Sequence, residues 1–209
     1  MRPYAEGSRS PAVRGFWHDA VGDPQGVLVL THGAGSNAAA PLLIAVAEAF
    51  AQAGYGVLRC DLPFRQLRPH GPPFPAHAAN DRAGLENAVL AVHGQGRIFL
   101  GGHSYGGRQA SMLAAEKPGL ADGLLLLSYP LHPPRKPAEL RTAHFPSLRT
   151  PALFVHGTRD PFGTEEEMAQ ALKLIPARTE LMAVPGAGHD LRRLDPANLA
   201  GQLAGVLPT

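Results

Sequence analysis

The sequence is poor in the features that mark several large classes of protein. It holds one cysteine, Cys60, among 209 residues, so no disulfide can form within the chain. Its 19 lysines and arginines nearly balance its 17 aspartates and glutamates. The basic residues are scattered and form no run of about five or six, so we expect no nucleic-acid partner.

Long hydrophobic runs are also missing. The strongest apolar run, residues 124–127, is far shorter than the roughly 20 residues that a membrane-spanning helix needs. Residues 1–11 contain no apolar stretch of the roughly seven residues that a secretory signal carries. We therefore expect a cytoplasmic protein that does not associate with membranes.

Short apolar runs alternate with longer, helix-compatible stretches over most of the chain. Hydrophobic residues make up 44% of the sequence, which is enough for the packed core of a globular protein. The alternation predicts an α/β fold, in which a mostly parallel sheet of about seven strands carries helices on both faces. We expect a single domain over residues 1–209, with residues 1–11 as a flexible N-terminus.

A glycine-flanked serine, Ser104, follows one predicted strand and precedes a predicted helix. Residues 102–106 read Gly-His-Ser-Tyr-Gly, which matches the pattern G-x-S-x-G. In that pattern the chain turns sharply at the serine, and the glycines leave room for the turn. The hydroxyl then projects at a helix N-terminus, where partial positive charge favours a developing anion. The motif predicts a nucleophile; a glycine-rich turn without catalysis is the alternative.

A nucleophilic serine needs a base to take its proton, and the base needs a third group to orient it. Where a triad follows this motif, the acid comes next along the chain and the histidine last. Asp160 and His189 each lie just beyond a predicted strand, at the sheet edge that carries Ser104. Asp61 precedes the serine and Asp122 precedes a strand, so both suit the role less well. We predict Asp160 as the acid and His189 as the base.

A second glycine-rich turn, residues 32–36, follows an earlier strand at the same edge. The carbonyl oxygen that a serine attacks becomes an anion, which needs two N–H donors already in place. The backbone N–H of Tyr105, directly after the nucleophile, is one predicted donor, and the N–H of Ala34 is the other. A tight turn with no catalytic role is the alternative.

Two proline-rich loops are expected to overhang the serine, one after Cys60 and one over residues 129–150. The prolines favour extended, stiff chain, so we expect a minimal lid and an open site. From these loops we predict substrate contacts by Arg65, His132 and Phe64. The basic side chains would suit an anionic group on the substrate, and ordinary solvated loop charge is the alternative.

No pattern typical of a metal or cofactor site occurs in the sequence. His32 and His103 flank the predicted catalytic positions, but their spacing to other possible ligands fits no metal motif. We therefore expect neither a metal nor a cofactor.

The motifs at the predicted site resemble those of a known family. The segments HGAGS, GGHSYGGRQAS, FVHGTRDPFG and GAGHDL occur in this order. They are similar to the small bacterial α/β-hydrolases related to dienelactone hydrolase. They resemble more closely an uncharacterised group that shares a domain with a subunit of a eukaryotic histone-acetyltransferase complex. The resemblance implies the α/β-hydrolase fold and a triad at Ser104, Asp160 and His189, with serine where dienelactone hydrolases proper use cysteine.

Residues and resemblance together predict a serine hydrolase that cleaves carboxylic esters or thioesters of small acyl substrates through an acyl-enzyme. The partner is then a small-molecule ester, and a homodimer is compatible with the sequence. Two alternatives stay open, because fold alone is weak support for function. One is a catalytically silent binding or scaffold module of the same fold. The other is an amidase or peptidase that uses the same triad.

Overall fold

One eight-stranded sheet forms the centre of the computed structural model, which describes residues 1–208. Its strands are β1 (Arg2–Glu6), β2 (Val13–His18), β3 (Gly26–Thr31), β4 (Tyr55–Cys60), β5 (Arg97–His103), β6 (Gly123–Leu127), β7 (Ala152–Gly157) and β8 (Thr179–Val184). They lie side by side in the order β1-β2-β4-β3-β5-β6-β7-β8. β1 pairs antiparallel with β2, and β2 with β4, whereas all other neighbours are parallel. The predicted α/β class is confirmed.

Helices cover both faces of the sheet, as predicted. They are α1 (Pro41–Gln52), α2 (Pro63–Leu67), α3 (Ala78–Ala91), α4 (Tyr105–Glu116), α5 (Glu165–Leu172) and α6 (Leu199–Gly205). Buried side chains of α3, α4 and α5 pack on one face of the sheet. Those of α1 and α6 pack on the other face. The two hydrophobic clusters thus hold the sheet between them.

The sequence pattern explains this layering. Every residue of β3 is buried, because a parallel strand covered on both faces needs a continuous apolar run rather than an alternating one. In α1 the buried residues Leu43, Val46, Ala47 and Phe50 recur at steps of three and four, which places them on one face of the helix. The chain leaves α1 at Gly54, whose positive φ of 87° suits glycine.

The N-terminus differs from its prediction. Residues 2–6, expected to be flexible, form strand β1 at the edge of the sheet, in register with residues 13–17 of β2. This strand brings the total to eight where about seven were expected. It is mostly exposed, so its sequence lacks the apolar alternation that marks a strand. Only Tyr4 packs inward, with its ring centroid 6.3 Å from that of Trp17.

The carboxyl ends of the parallel strands meet at one edge, where loops after β3, β5, β7 and β8 carry the predicted triad and oxyanion residues. Between β6 and β7 the chain forms only one short 3-10 turn, Phe145–Ser147, in keeping with the minimal lid that was predicted. Within residues 1–208, no helix combines the length and the apolar character that crossing a membrane requires.

Candidate active site

Ser104 occupies the sharp turn between β5 and α4. Its φ of 52° and ψ of −116° lie in a region that costs a non-glycine residue about 1–3 kcal/mol. The flanking glycines are required by space. A Cβ on Gly102 would lie 2.8 Å from the Gly106 carbonyl carbon, and one on Gly106 would lie 2.5 Å from the His32 oxygen. The local sequence therefore holds the serine side chain out from the sheet.

The structure brings the three predicted triad residues together. The Ser104 Oγ lies 2.8 Å from Nε2 of His189, and Nδ1 of His189 lies 2.8 Å from Oδ2 of Asp160. The second carboxylate oxygen of Asp160 accepts a hydrogen bond of 2.9 Å from the Phe162 N–H. An ionised Asp160 fixes the proton of His189 on Nδ1, which leaves Nε2 free to accept the serine proton.

The His189 ring is held from both sides and from its own backbone. The Phe162 ring centroid lies 4.2 Å away and the His103 ring centroid 5.1 Å away. The backbone carbonyl of His189 accepts a hydrogen bond of 2.8 Å, which His103 must donate from a protonated Nε2. Burial lowers the pKa of His103, so its ring is neutral at pH 7. Sequence reasoning placed His103 beside the site without finding this contact.

The two predicted oxyanion donors are free of protein acceptors. Ala34 lies in the turn after β3, which the Ser36 N–H closes by donating to the Gly33 oxygen at 3.1 Å. Tyr105 is the first residue of α4, where backbone N–H groups lack partners within the helix. In the part of the chain that the structure describes, neither N–H donates to another protein group. Both are therefore available to an anion beside Ser104.

The Tyr105 side chain points away from the serine and is fixed by Asp81. The phenol donates to Oδ2 of Asp81 at 2.8 Å, and the Phe64 N–H donates to Oδ1 at 3.0 Å. Burial raises the pKa of the Asp81 carboxyl. Burial, and then the hydrogen bond to Asp81, raise the pKa of Tyr105. Sequence reasoning missed Asp81 in this role, because a polar residue near a helix start looks like a helix cap.

Arg65 does not face a substrate, contrary to its prediction. Its guanidinium donates to the backbone oxygens of Ser36 at 2.7 Å and Ala34 at 2.8 Å, both in the turn that carries the oxyanion donor. It also donates to the backbone oxygens of Arg68 at 3.2 Å and of Gly71 at 3.0 Å, in the loop that follows α2. With its donors used in this way, Arg65 ties the two loops together.

His132 and Phe64 also lack the exposure that substrate contact needs. His132 is buried, with Nδ1 2.8 Å from the Pro133 oxygen and Nε2 3.3 Å from Glu167 at the start of α5. Phe64 is only 2% exposed, and its ring packs edge-on against Tyr105 at 5.8 Å. The structure assigns both side chains to packing and loop support, which corrects their predicted role.

Two further groups near the site, the His32 imidazole and the Cys60 thiol, are buried and do not face Ser104 as reactive groups. His32 lies with Nδ1 2.9 Å from the Gly33 oxygen, and its Nε2 accepts the Leu62 N–H at 3.1 Å. Burial raises the pKa of the Cys60 thiol to about 12, so it stays protonated and unreactive. Within residues 1–208 no group of three or more histidine, cysteine or acidic side chains could hold a metal ion.

The chain is similar to known proteins in sequence. A family model described as an alpha/beta hydrolase domain matches residues 24–202. A putative carboxymethylenebutenolidase from Salmonella typhimurium strain LT2 is 32% identical over 101 residues, which are 44% of this chain and 36% of that protein. The match thus spans little more than a third of the length of this curated relative.

Several solved structures share the fold. Dienelactone hydrolase from Anabaena variabilis has a TM-score of 0.72 at 22% identity, over 98% of this chain and 96% of that one. Est1E from Butyrivibrio proteoclasticus, with ferulic acid bound, has a TM-score of 0.75 at 17% identity, over 93% and 96%. A serine hydrolase without a lid from Xanthomonas campestris has a TM-score of 0.74 at 17% identity, over 100% and 97%. These TM-scores show a shared fold, and at such low identities they show the fold alone.

Proposed function

Because the chain belongs to the alpha/beta hydrolase domain family, we propose that it is a serine hydrolase of carboxylic esters or thioesters with small acyl groups. One observation carries the proposal: Nε2 of His189 lies 2.8 Å from Ser104 Oγ while Nδ1 lies 2.8 Å from Asp160. This is the hydrogen-bond chain that activates a serine as a nucleophile. Asp160, which is buried, orients His189 through Nδ1 and stabilises its positive charge.

In the first half of the reaction, Ser104 Oγ forms a bond to the substrate carbonyl carbon as His189 Nε2 takes the hydroxyl proton. The carbonyl oxygen becomes an anion and accepts hydrogen bonds from the N–H groups of Ala34 and Tyr105. The bond from carbon to the leaving oxygen or sulfur then breaks. His189 returns the proton to the leaving group, and the acyl group stays on Ser104 as an ester.

In the second half, water takes the place of the leaving group. His189 removes a proton from the water as its oxygen attacks the acyl carbon, and the same two N–H groups stabilise the second oxyanion. When the bond to Ser104 Oγ breaks, His189 gives its proton to the serine. The products are the free acid and the starting enzyme.

Two similar proteins favour esters over amides as the substrate class. One similar structure is a dienelactone hydrolase, and a lactone is an internal ester. Another similar protein, Est1E, has ferulic acid, a carboxylic acid, bound to it. The rates of cleavage of an ester, a thioester and an amide of one and the same acid would distinguish the three kinds of leaving group.

Labelling with a fluorophosphonate tests the nucleophile without any assumption about substrate. We expect the protein to gain the mass of one phosphonyl group, because an activated serine attacks phosphorus and expels fluoride. Ser104→Ala should gain none, whereas Ser147→Ala, which removes an exposed serine hydroxyl, should label like the parent. The measurement is intact mass of folded protein.

An unlabelled parent would contradict the proposal. If the parent stays unlabelled while it is folded, the triad is not functional, and the silent binding module becomes the better explanation. Labelling that persists in Ser104→Ala would place the reactive group elsewhere and would also refute the proposal.

Arg65 provides a second test, because it holds the loop of one oxyanion donor. Arg65→Lys keeps the charge but cannot reach four backbone oxygens, so the Ala34 N–H should lose its position. We expect kcat for an activated ester to fall about a hundredfold, the size of effect seen when one oxyanion donor is lost, with little change in KM. The exposed Arg14→Lys is the matched control and should keep the parent kcat.

A fall in thermal stability alone would not satisfy this prediction. If Arg65→Lys lowers the melting temperature but leaves kcat of the folded fraction unchanged, Arg65 supports the fold and does not position the oxyanion donor.

A further inference from the structure

Building on the proposed function, we propose that a groove beside His189 holds the leaving group of the substrate and favours an uncharged aliphatic alcohol. The groove encloses about 480 Å³. It lies between α1, the turn after β3 and the segment that follows His189. None of the residues predicted from the sequence to contact substrate lines it.

The groove is lined by residues that adjoin the proposed catalytic groups in the chain. Its lining includes His103, directly before Ser104, and Asp190, directly after His189. The leaving oxygen must receive its proton from Nε2 of His189, so it departs on the side of that ring. The carbonyl oxygen accepts from the Ala34 and Tyr105 N–H groups, and the turn that carries Ala34 reaches the groove at Ser36. Because the segment after the proposed base and the turn with a proposed oxyanion donor both border the groove, the group on the leaving oxygen is assigned to it and the acyl chain to the other side of Ser104.

The walls of the groove are apolar. Leu42 and Ala45 of α1 form one side, and Leu191 and Leu194 form the other. Leu42 and Leu194 are only partly buried and rest on the hydrophobic cluster under this face of the sheet. Each methylene of a leaving group that these side chains cover leaves water, which favours binding by about threefold to fourfold.

The charges at the rim cancel each other. Oδ2 of Asp190 lies 2.7 Å from Nε of Arg192, and both side chains are more than half exposed. His103 adds no charge, because burial lowers its pKa and its Nε2 proton goes to the His189 oxygen. A charged leaving group would find no unpaired opposite charge in this lining, whereas a neutral alkyl chain would lose only water.

Two ester series separate the leaving-group side from the acyl side. The first contains the acetates of ethanol to hexanol, and the second contains the ethyl esters of acetic to hexanoic acid. We would measure kcat/KM, because it includes the step in which the alcohol leaves. We expect kcat/KM to rise about threefold for each methylene of the alcohol. The acyl series should respond much less.

A blocking substitution links this response to the groove. Ala45→Trp places an indole in the groove from an exposed position of α1, so the fold should tolerate it. We expect the ratio of kcat/KM for hexyl acetate to that for ethyl acetate to fall at least tenfold. The matched control is Ala169→Trp, at an exposed position of α5, which should keep the parent ratio.

Three outcomes would overturn the inference. The first is an Ala45→Trp effect confined to the acyl series, which would make the groove an acyl site. The second is an unchanged alcohol series in Ala45→Trp, and the third is a flat alcohol series in the parent. Failure of the proposed function looks different, because the parent would then resist fluorophosphonate and cleave no ester of either series.

Discussion

Replacing His189 by alanine is expected to lower kcat for phenyl acetate by on the order of 10⁶-fold. In the proposed mechanism the serine proton leaves along the 2.8 Å contact between Nε2 and Ser104 Oγ. Without it the hydroxyl stays protonated at neutral pH and is a weak nucleophile. Labelling by a fluorophosphonate should slow in parallel, since it depends on the same proton transfer. Both rates can be measured on folded protein.

A histidine on the surface provides the control for this experiment. His93 is exposed beyond the end of α3, and His93→Ala should keep the parent kcat within about twofold. A loss of less than a hundredfold in His189→Ala, with the Ser104→Ala variant inactive, would mean that another group serves as base. Such a result would contradict the assignment of His189.

Replacing Asp160 by asparagine should lower kcat by on the order of 10⁴-fold while the fold is kept. The asparagine carbonyl can still accept the Phe162 N–H that Oδ1 of Asp160 accepts at 2.9 Å. With its carbonyl oxygen bound to the Phe162 N–H, the asparagine places its NH₂ group toward Nδ1 of His189. Nδ1 must then accept a hydrogen bond instead of donating one. The histidine proton moves to Nε2, the atom that has to take the serine proton.

The control and a double variant sharpen this test. Asp23→Asn removes an exposed carboxylate before β3, at the end of that strand opposite to the proposed catalytic turn, and should keep the parent rate. The double variant Asp160→Asn, His189→Ala should be no slower than His189→Ala within about tenfold, because the two residues act as one unit. Full additivity of the two losses would show that Asp160 acts independently of His189 and would contradict the proposed role.

The parts of the site that could be predicted from the sequence depend on a local motif and on the positions of strand ends. Ser104 and its flanking glycines stand directly between a strand and a helix in the sequence. The motif and the elements that it requires can therefore be recognised together. Asp160 and His189 follow strands that end at one edge, and parallel topology brings such ends together. No side-chain direction was needed to place them.

The parts that sequence reasoning missed depend on contacts between distant segments. Arg65 looked like a basic residue on an exposed loop, but carbonyls about 30 residues earlier in the chain turn it inward. Phe64 and His132 were misplaced for the same reason: their directions depend on Tyr105 and on the start of α5. Strand β1 was missed because an exposed edge strand has little apolar pattern.

The four hydrogen bonds of Arg65 connect the exposed loop after α2 to the turn that carries Ala34, a proposed oxyanion donor. The carbonyls of Arg68 and Gly71 and those of Ala34 and Ser36 all accept hydrogen bonds from one guanidinium, which links the two turns. Residues 68–75 lie at the surface, within reach of a protease or an antibody. If the proposed ester cleavage holds, a nick or a bound antibody there would change its rate from outside the cleft, through the hydrogen bonds of Arg65.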